Sequence, residues 1–350
     1  LVLQRPRDEV QRTMEQIVSG LDVLDQRVAV ECLTEDADTT ALGPSSLLVV
    51  VAEDYVHPRL EELNKELWNK GVSWLLAKPW GQSLWLGPLF VPGQSACWMC
   101  LQERLVANRH AERYLAERLQ RLPFIPASGL MPGAARIVSQ AILTHLVAVA
   151  GGEQSPFVNV LRSMDLGTMA VSDHAVIPQP QCPVCGTMAH RPTADVVLAP
   201  AKGLDGTDGG YRVCTPEETV ERLAKHVSPI TGAVSKIESL GADADGVTFS
   251  FAAGHNYATV ADNLRLLVQN MRGQSGGKGR TRQQAKASAV CEAIERFSGV
   301  WEPTVPAVRS AWRDLDVRAV HPESVLLFSD AQYEGRSAIK EIDNKFHRIP

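Results

Sequence analysis

The sequence predicts an α/β protein in two parts, on three observations. The run Ser46-Leu47-Leu48-Val49-Val50-Val51-Ala52 is continuously apolar between Gly43-Pro44 and Glu53-Asp54, as a strand buried on both faces of a parallel sheet must be. A helical pattern from Pro58 to Lys70, stopping at Gly71, and a second apolar run, Val72–Ala77, complete a βαβ unit. Late in the chain, the alternating stretches Val234–Leu240 and Val247–Ala252 read as paired strands ahead of a long helical stretch, Thr281–Ser298.

In chain order, an amphipathic helix over Arg7–Leu21 and an alternating strand Arg27–Cys32 are expected first. Ser83–Val91 continues the βαβ unit as a hairpin. Cys97 to Cys100 opens a charged helix to about Leu122, carrying Arg104, Arg109, Arg113, Arg118 and Arg121. A helix over Ala134–Ala150 is apolar on most faces and ends at Gly151-Gly152. Residues 199–210, APAKGLDGTDGG, have linker composition and divide the chain into 1–198 and 211–350. Thr215-Pro216-Glu217-Glu218 supplies a cap, a first-turn proline and two acids for a helix over Thr219–His226, ended by Pro229–Gly232. Ala261–Gln269 reads as a short helix, and Ala311–Leu315 and Pro322–Phe328 as later elements.

Composition excludes several classes. The 350 residues are 45% hydrophobic and 21% charged, with a net charge of −5, so no nucleic-acid footprint is present. No apolar run approaches the roughly 20 residues that span a membrane. The chain starts Leu1-Val2-Leu3 without a signal peptide pattern, and is read as a piece of a longer, cytoplasmic protein.

Seven cysteines are present, four of them in the pairs Cys97-Trp98-Met99-Cys100 and Cys182-Pro183-Val184-Cys185, the second followed by Gly186. An odd total with this spacing suits metal binding in a reducing compartment. Four thiolates close a tetrahedral zinc shell of the structural kind, with disulfide or redox pairing as the alternative. His110, His174 and His190 could substitute but are not needed. Cys32, Cys214 and Cys291 are read as small buried residues, since a nucleophile needs an activating base.

The stretch QSGGKGRTRQQAKASAVCEAIERFSGVWE, Gln274–Glu302, is the richest in chemistry. A glycine turn (Gly276, Gly277, Lys278, Gly279) precedes the helix, whose core stripe is 285, 289, 290, 293, 294 and 297. Steps of four and three stack Ser288, Glu292 and Glu295 on one side. Carboxylates one turn apart suit a hard divalent cation with substrate phosphates, and backbone N–H groups at a glycine turn approach anions, with Lys278 adding charge. The plainer reading pairs Glu292 or Glu295 with Arg296 or Lys286.

GGKG followed by QAKASAVCEAIERFSG resembles the signature of the YcaO-type domain, a GKG turn and then SAxxEAxER on a helix. LLVVVAEDYVHPRL, LFVPGQSACWMCLQERLVANR and the later CPVCG are similar to the inactive ThiF-like (ubiquitin-activating-enzyme-like) partner domain of azole-forming systems, over roughly residues 40–195. No GxGxxG lies between strand and helix there, so the nucleotide-binding edge of this degenerate Rossmann-type domain is read as missing, degenerate or upstream of Leu1. On this resemblance, the family's leader-binding module would lie mostly before Leu1, and the YcaO domain would continue past Pro350.

The resemblance implies an ATP-dependent cyclodehydratase that converts Cys, Ser or Thr of a ribosomal precursor peptide to thiazoline or oxazoline by phosphorylating the amide oxygen. It places ATP at Arg212, Thr219, Lys278, Ser288, Glu292 and Glu295, magnesium at Glu292 and Glu295, and structural zinc at Cys97, Cys100, Cys182 and Cys185. No covalent catalytic residue is assigned. A homodimer and a flavin-dependent azoline oxidase are family expectations for partners. The alternatives are a zinc-stabilised scaffold presenting peptide to a separate enzyme, and a YcaO enzyme making thioamides or amidines. Adenylate formation by the ThiF-like part is disfavoured by the missing GxGxxG.

Overall fold

A computed structural model describes residues 2–3, 15, 39–120, 131, 133–187, 197–198, 200, 203–205, 211–241, 246–255, 263–271, 273–300, 308–315, 319–321 and 323–338. The expected helix at 7–21 apart from Glu15, the strand at 27–32 with Cys32, His190 and most of the linker lie outside these residues. Two compact units are present, Leu1–Thr304 and Val305–Pro350.

The first unit contains a six-stranded sheet in sequence order: β1 (Val2–Leu3), β2 (Leu47–Ala52), β3 (Ser73–Lys78), β4 (Ser83–Phe90), β5 (Val160–Asp165) and β6 (Val171–Ala175). The β1–β2 and β2–β3 pairs are parallel, with Leu48 beside Trp74 and Val50 beside Leu76. The remaining pairs are antiparallel, so β4 folds back on β3 as the hairpin expected. Helix α1 (Arg59–Lys70) bridges β2 and β3, burying Leu60, Leu63 and Leu67. It ends at Gly71, whose φ of 70° is the left-handed cap that glycine adopts without strain.

The central strands are buried on both faces, as their unbroken apolar runs require. Trp74 and Leu76 pack with α1, while Leu75 and Ala77 pack on the other side with Ala134, Val138 and Ile142 of α4 (Ala134–Ala150). The predicted single helix after Cys97 is two: α2 (Trp98–Asn108) and α3 (His110–Leu119). The chain breaks at Arg109, which turns inward to Asp54 (Nη1 to Oδ1, 2.8 Å), while Asn108 reaches the carbonyl of Ile230.

From within the expected linker, β7 (Leu204–Asp205) pairs antiparallel with β8 (Tyr211–Arg212), just after it. Helix α5 (Pro216–Leu223) starts with a capping box between Thr215 and Glu218. A three-stranded antiparallel sheet follows, with β10 (Phe249–His255) between β9 (Val234–Ser239) and β11 (Gln274–Gly279). Helix α6 (Leu264–Met271) leads into β11, and α7 (Arg282–Ser298) lies on the sheet. The predicted glycine turn is therefore a strand.

The reason lies in packing. Phe251 sits beside Gly277 and Phe249 beside Gly279, and a Cβ on Gly277 would stand 2.8 Å from Cα of Ala289. One on Gly279 would stand 2.6 Å from the amide nitrogen of Ala285. The glycines admit α7 to within backbone contact of the strand, rather than bending the chain. Ala285, Ala289, Val290 and Ala293 close this core against Val234, Phe251 and Ala253.

The second unit shows α8 (Glu323–Leu326), α9 (Asp330–Glu334) and short 3₁₀ turns at Trp312–Asp314 and Gly335–Ala338. No helix among the described residues is long and apolar enough to cross a membrane.

Candidate functional site

The first constellation is the four-cysteine centre. Cys97 is the N-cap of α2 and Cys100 lies on its first turn, while Cys182 and Cys185 come from the knuckle after β6. Their Sγ atoms all lie within 4.8 Å of one another, with Cys97–Cys182 at 3.5 Å and Cys100–Cys185 at 3.4 Å. Tetrahedral ligation at about 2.3 Å per thiolate needs separations of this order, so the donor set fits a metal. The Gln179 amide donates to Cys100 Sγ at 3.3 Å, a contact that orients a ligand sulfur. Gly186 is required for the knuckle, since a Cβ there would stand 2.5 Å from the carbonyl oxygen of Pro180. Contacts with Cys100, Cys185 and Cys97 hold the Cys182 thiol well below its ordinary range. Contacts with Cys182, Cys185 and Cys97 push Cys100 well above it. Without a cation, only part of such a cluster ionises.

The second constellation is on α7. Thr281 caps the helix with Gln284, and the alanine face is buried, so register alone sends Ser288 and Glu295 outward and leaves Glu292 half-buried. Glu292 pairs with Arg296, Oε1 to Nη2 at 2.7 Å, as the plainer reading anticipated. Cys291, expected to be buried, is exposed on the same side. Burial nonetheless raises its thiol, and the charges of Arg222 and Arg212 act in the opposite direction. Helix α5 packs against α7, and Cys291 stands one turn from Glu295. Arg212 is exposed; Thr219 is half-buried, donates to the carbonyl of Thr215 at 2.9 Å and touches Cys214 Sγ at 3.2 Å.

Lys278 stands apart from this group. Gly277 and Gly279 face α7, so by the two-residue period of the strand Lys278 projects from the opposite face of the sheet. His255, not singled out from the sequence, does belong to the α7 side: it continues the face of Phe251 and Ala253. Burial lowers its pKa, first with help from Arg296 and partly offset by Glu292. The signal was available in the alternation of β10, once that strand is extended past Ala252.

Open α/β sheets bind ligands at the carboxyl ends of their strands, and two ionic or cation–π contacts stand at those ends of β2 and β3. Asp54 takes Arg109 there, and Lys78 lies over Trp85, 4.7 Å from the ring centroid. Desolvation lowers the Lys78 pKa.

Residues 276–348 match the family described as YcaO cyclodehydratase, ATP- and Mg2+-binding. This segment is similar to the YcaO family. The match starts in the glycine strand and takes in all of α7, so Ser288, Glu292 and Glu295 lie within it. Beyond the YcaO segment, the chain is similar to a heterocyclase solved in complex with substrate and cofactor. That structure is 29% identical, with a TM-score of 0.78, over 97% of this chain and 44% of the other. The heterocyclase TruD is similar at 26% identity and a TM-score of 0.64, over 96% of this chain and 40% of TruD. The chain thus spans less than half of either structure, and the likeness covers the six-stranded sheet as well as the YcaO segment. No curated protein sequence matches it.

Proposed function

We propose that this chain is the ThiF-like and early YcaO portion, divided near 199–210, of an ATP-dependent cyclodehydratase acting on a ribosomal precursor peptide. The observation that carries the reading is α7: a YcaO helix locked by its alanine face on a glycine strand, with Ser288, Glu292 and Glu295 left on its open side. A Cys thiol or Ser/Thr hydroxyl of the peptide, losing its proton to solvent, adds to the preceding amide carbonyl carbon. The resulting oxyanion takes the γ-phosphoryl group of ATP with release of ADP. Loss of the amide proton and departure of phosphate then leave the C=N bond of the azoline. Phosphorylation serves to turn a poor leaving group into a good one.

In this reading Glu292 and Glu295 hold magnesium, which when bound neutralises phosphate charge. Ser288 adds a hydroxyl contact from the same side, and Arg212 approaches from β8 across Cys291. Thr219 supports the inner end of α5. Lys278, on the opposite face of the sheet, is set apart from these contacts. Glu292 must exchange Arg296 for the cation. The four cysteines hold structural zinc, which closes the knuckle onto α2 and takes no part in the chemistry.

The test is calorimetry of Mg·ATP on this chain and on the full-length protein, each compared with Glu292→Gln/Glu295→Gln. Binding that collapses in the double variant, followed by water loss from candidate peptides, supports the proposal. A full-length protein without nucleotide affinity would leave the zinc-stabilised scaffold as the account.

A further inference from the structure

Helix α2 meets the turn before the three-stranded sheet, and the residues at that seam run in one line from the four-cysteine centre to α7. After Cys100 on the first turn of α2, steps of four place Arg104 and then Asn108 along the same side of the helix. Asn108 Nδ2 donates to the carbonyl of Ile230 at 2.5 Å. Arg104 Nη2 donates to the carbonyl of Gly232 at 2.7 Å, and its Nε to that of Thr231 at 3.3 Å. Ile230 itself packs against the core cluster that contains Cys97, Cys100 and Cys182. Gly232 is held too tightly for any side chain, since a Cβ there would stand 2.5 Å from the carbonyl oxygen of Val234. The turn that starts β9 is thus clasped by α2 on three counts.

The same Arg104 guanidinium lies 4.6 Å from the ring centroid of Phe297, on the last turn of α7 and two residues past Glu295. A guanidinium can do both at once, because its edge carries the donors and its flat face stacks on the ring. A lysine ammonium has no such face. Arg104 therefore touches the turn before β9 and the end of α7 from a helix whose first turn supplies two metal ligands.

We propose that Arg104 is a positioning residue that fixes α7, and with it Glu292 and Glu295, to the helix bearing Cys97 and Cys100. The inference rests on reading α7 as the magnesium–nucleotide helix for its effect on ATP, but the mechanical link stands on its own. The cysteine centre fixes where α2 begins, Arg104 carries that position across the seam, and Phe297 receives it.

The experiment compares full-length wild type with Arg104→Ala and Arg104→Lys, by bound metal per chain, hydrogen exchange of α7 amides, and Mg·ATP affinity. Both variants are expected to keep their metal. Exchange across 285–298 should accelerate about tenfold in Arg104→Ala while β2 and β3 stay protected. Arg104→Lys, which keeps the charge and folds if the alanine variant does not, should show the same acceleration, because the flat face is gone. Affinity for Mg·ATP should fall about tenfold in both. Unchanged α7 exchange in a metal-loaded variant overturns the inference. If wild type binds no Mg·ATP, the nucleotide reading of α7 falls, and the exchange comparison still decides the clamp.

Discussion

Arg296 grips one carboxylate oxygen of Glu292 with two donors, Nη2 at 2.7 Å and Nε at 3.0 Å. Both side chains remain open to water, at 53% and 34% exposure, so a pair four residues apart on a helix contributes only about 0.3–0.5 kcal/mol. The pair is too weak to explain why two acids stand on the open side of α7, and weak enough for a cation to replace Arg296.

Glu292→Gln should therefore leave stability within about 0.5 kcal/mol of wild type. Its affinity for Mg·ATP should fall by about tenfold or more. Thermal melting and calorimetry on the same preparation check this. A loss of stability the size of a core substitution, with binding unchanged, would make Glu292 a structural residue.

The glycines of β11 divide by what a methyl group would meet. A Cβ on Gly277 runs into the backbone of Ala285 and Ala289, whereas nothing lies within 4 Å of one on Gly276. Gly277→Ala should cost about 3 kcal/mol, at the upper end for overpacking, because a backbone cannot rotate away. Gly276→Ala should be neutral or slightly stabilising. Urea midpoints of the two variants give the comparison, and equal midpoints would mean that α7 does not need the close approach.

How far these features could be read in advance depended on whether their cause was local. The β2–α1–β3 unit was legible because Ser46–Ala52 and Val72–Ala77 are apolar without interruption and Gly71 ends the helix between them. The cysteine centre was legible because each pair brings its own spacing. The glycine segment was misread as a turn because its glycines answer to Ala285 and Ala289 on the next helix, which no local pattern reveals. The break at Arg109 had the same character: its partner, Asp54, lies 55 residues earlier. Lys278 was grouped with Glu292 on proximity in sequence, and the strand period sends it to the other face. Arg104 read as one more charge on a charged helix, since Phe297 and Gly232 are distant in the chain.

The four thiols of Cys97, Cys100, Cys182 and Cys185 converge from segments 85 residues apart, so a metal there joins α2 to the chain after β6. Cys182→Ser should abolish stoichiometric metal binding and cost several kcal/mol of stability, on the order seen when a structural site is lost. Cys214→Ser should change neither, since its sulfur touches Thr219 on α5 and is not one of the four clustered thiols. Metal analysis with thermal melting distinguishes the two. Metal content unaffected by Cys182→Ser would remove this residue from the ligand set.

His174 gives the seam a pH dependence whose sign follows from its hydrogen bonds. Ser228 Oγ accepts from the amides of Ile230 at 3.1 Å and Thr231 at 3.0 Å, which leaves its own proton for His174 Nδ1 at 2.8 Å. The neutral ring then carries its proton on Nε2 and donates it to Ser163 Oγ at 2.8 Å. A second proton, on Nδ1, would point at a hydroxyl with no lone pair to spare. Burial lowers the His174 pKa accordingly, with the neighbouring Asp173 carboxylate offsetting part of the effect. The unfolded chain thus binds the proton more readily than the folded one. The stabilisation is complete above the unfolded value of about 6.5 and is lost as pH falls below it toward the lowered folded value. The slope from this residue is at most about 1.4 kcal/mol per pH unit. His110, His145, His226 and His255 are lowered as well and add to the loss with the same sign. His174→Gln, which keeps one donor and one acceptor, should show a shallower fall in urea-unfolding free energy between about pH 7.5 and about pH 5.5. If the wild-type and variant curves run parallel, the acid sensitivity belongs to the other histidines and the Ser163–His174–Ser228 chain is only a tie between the sheets.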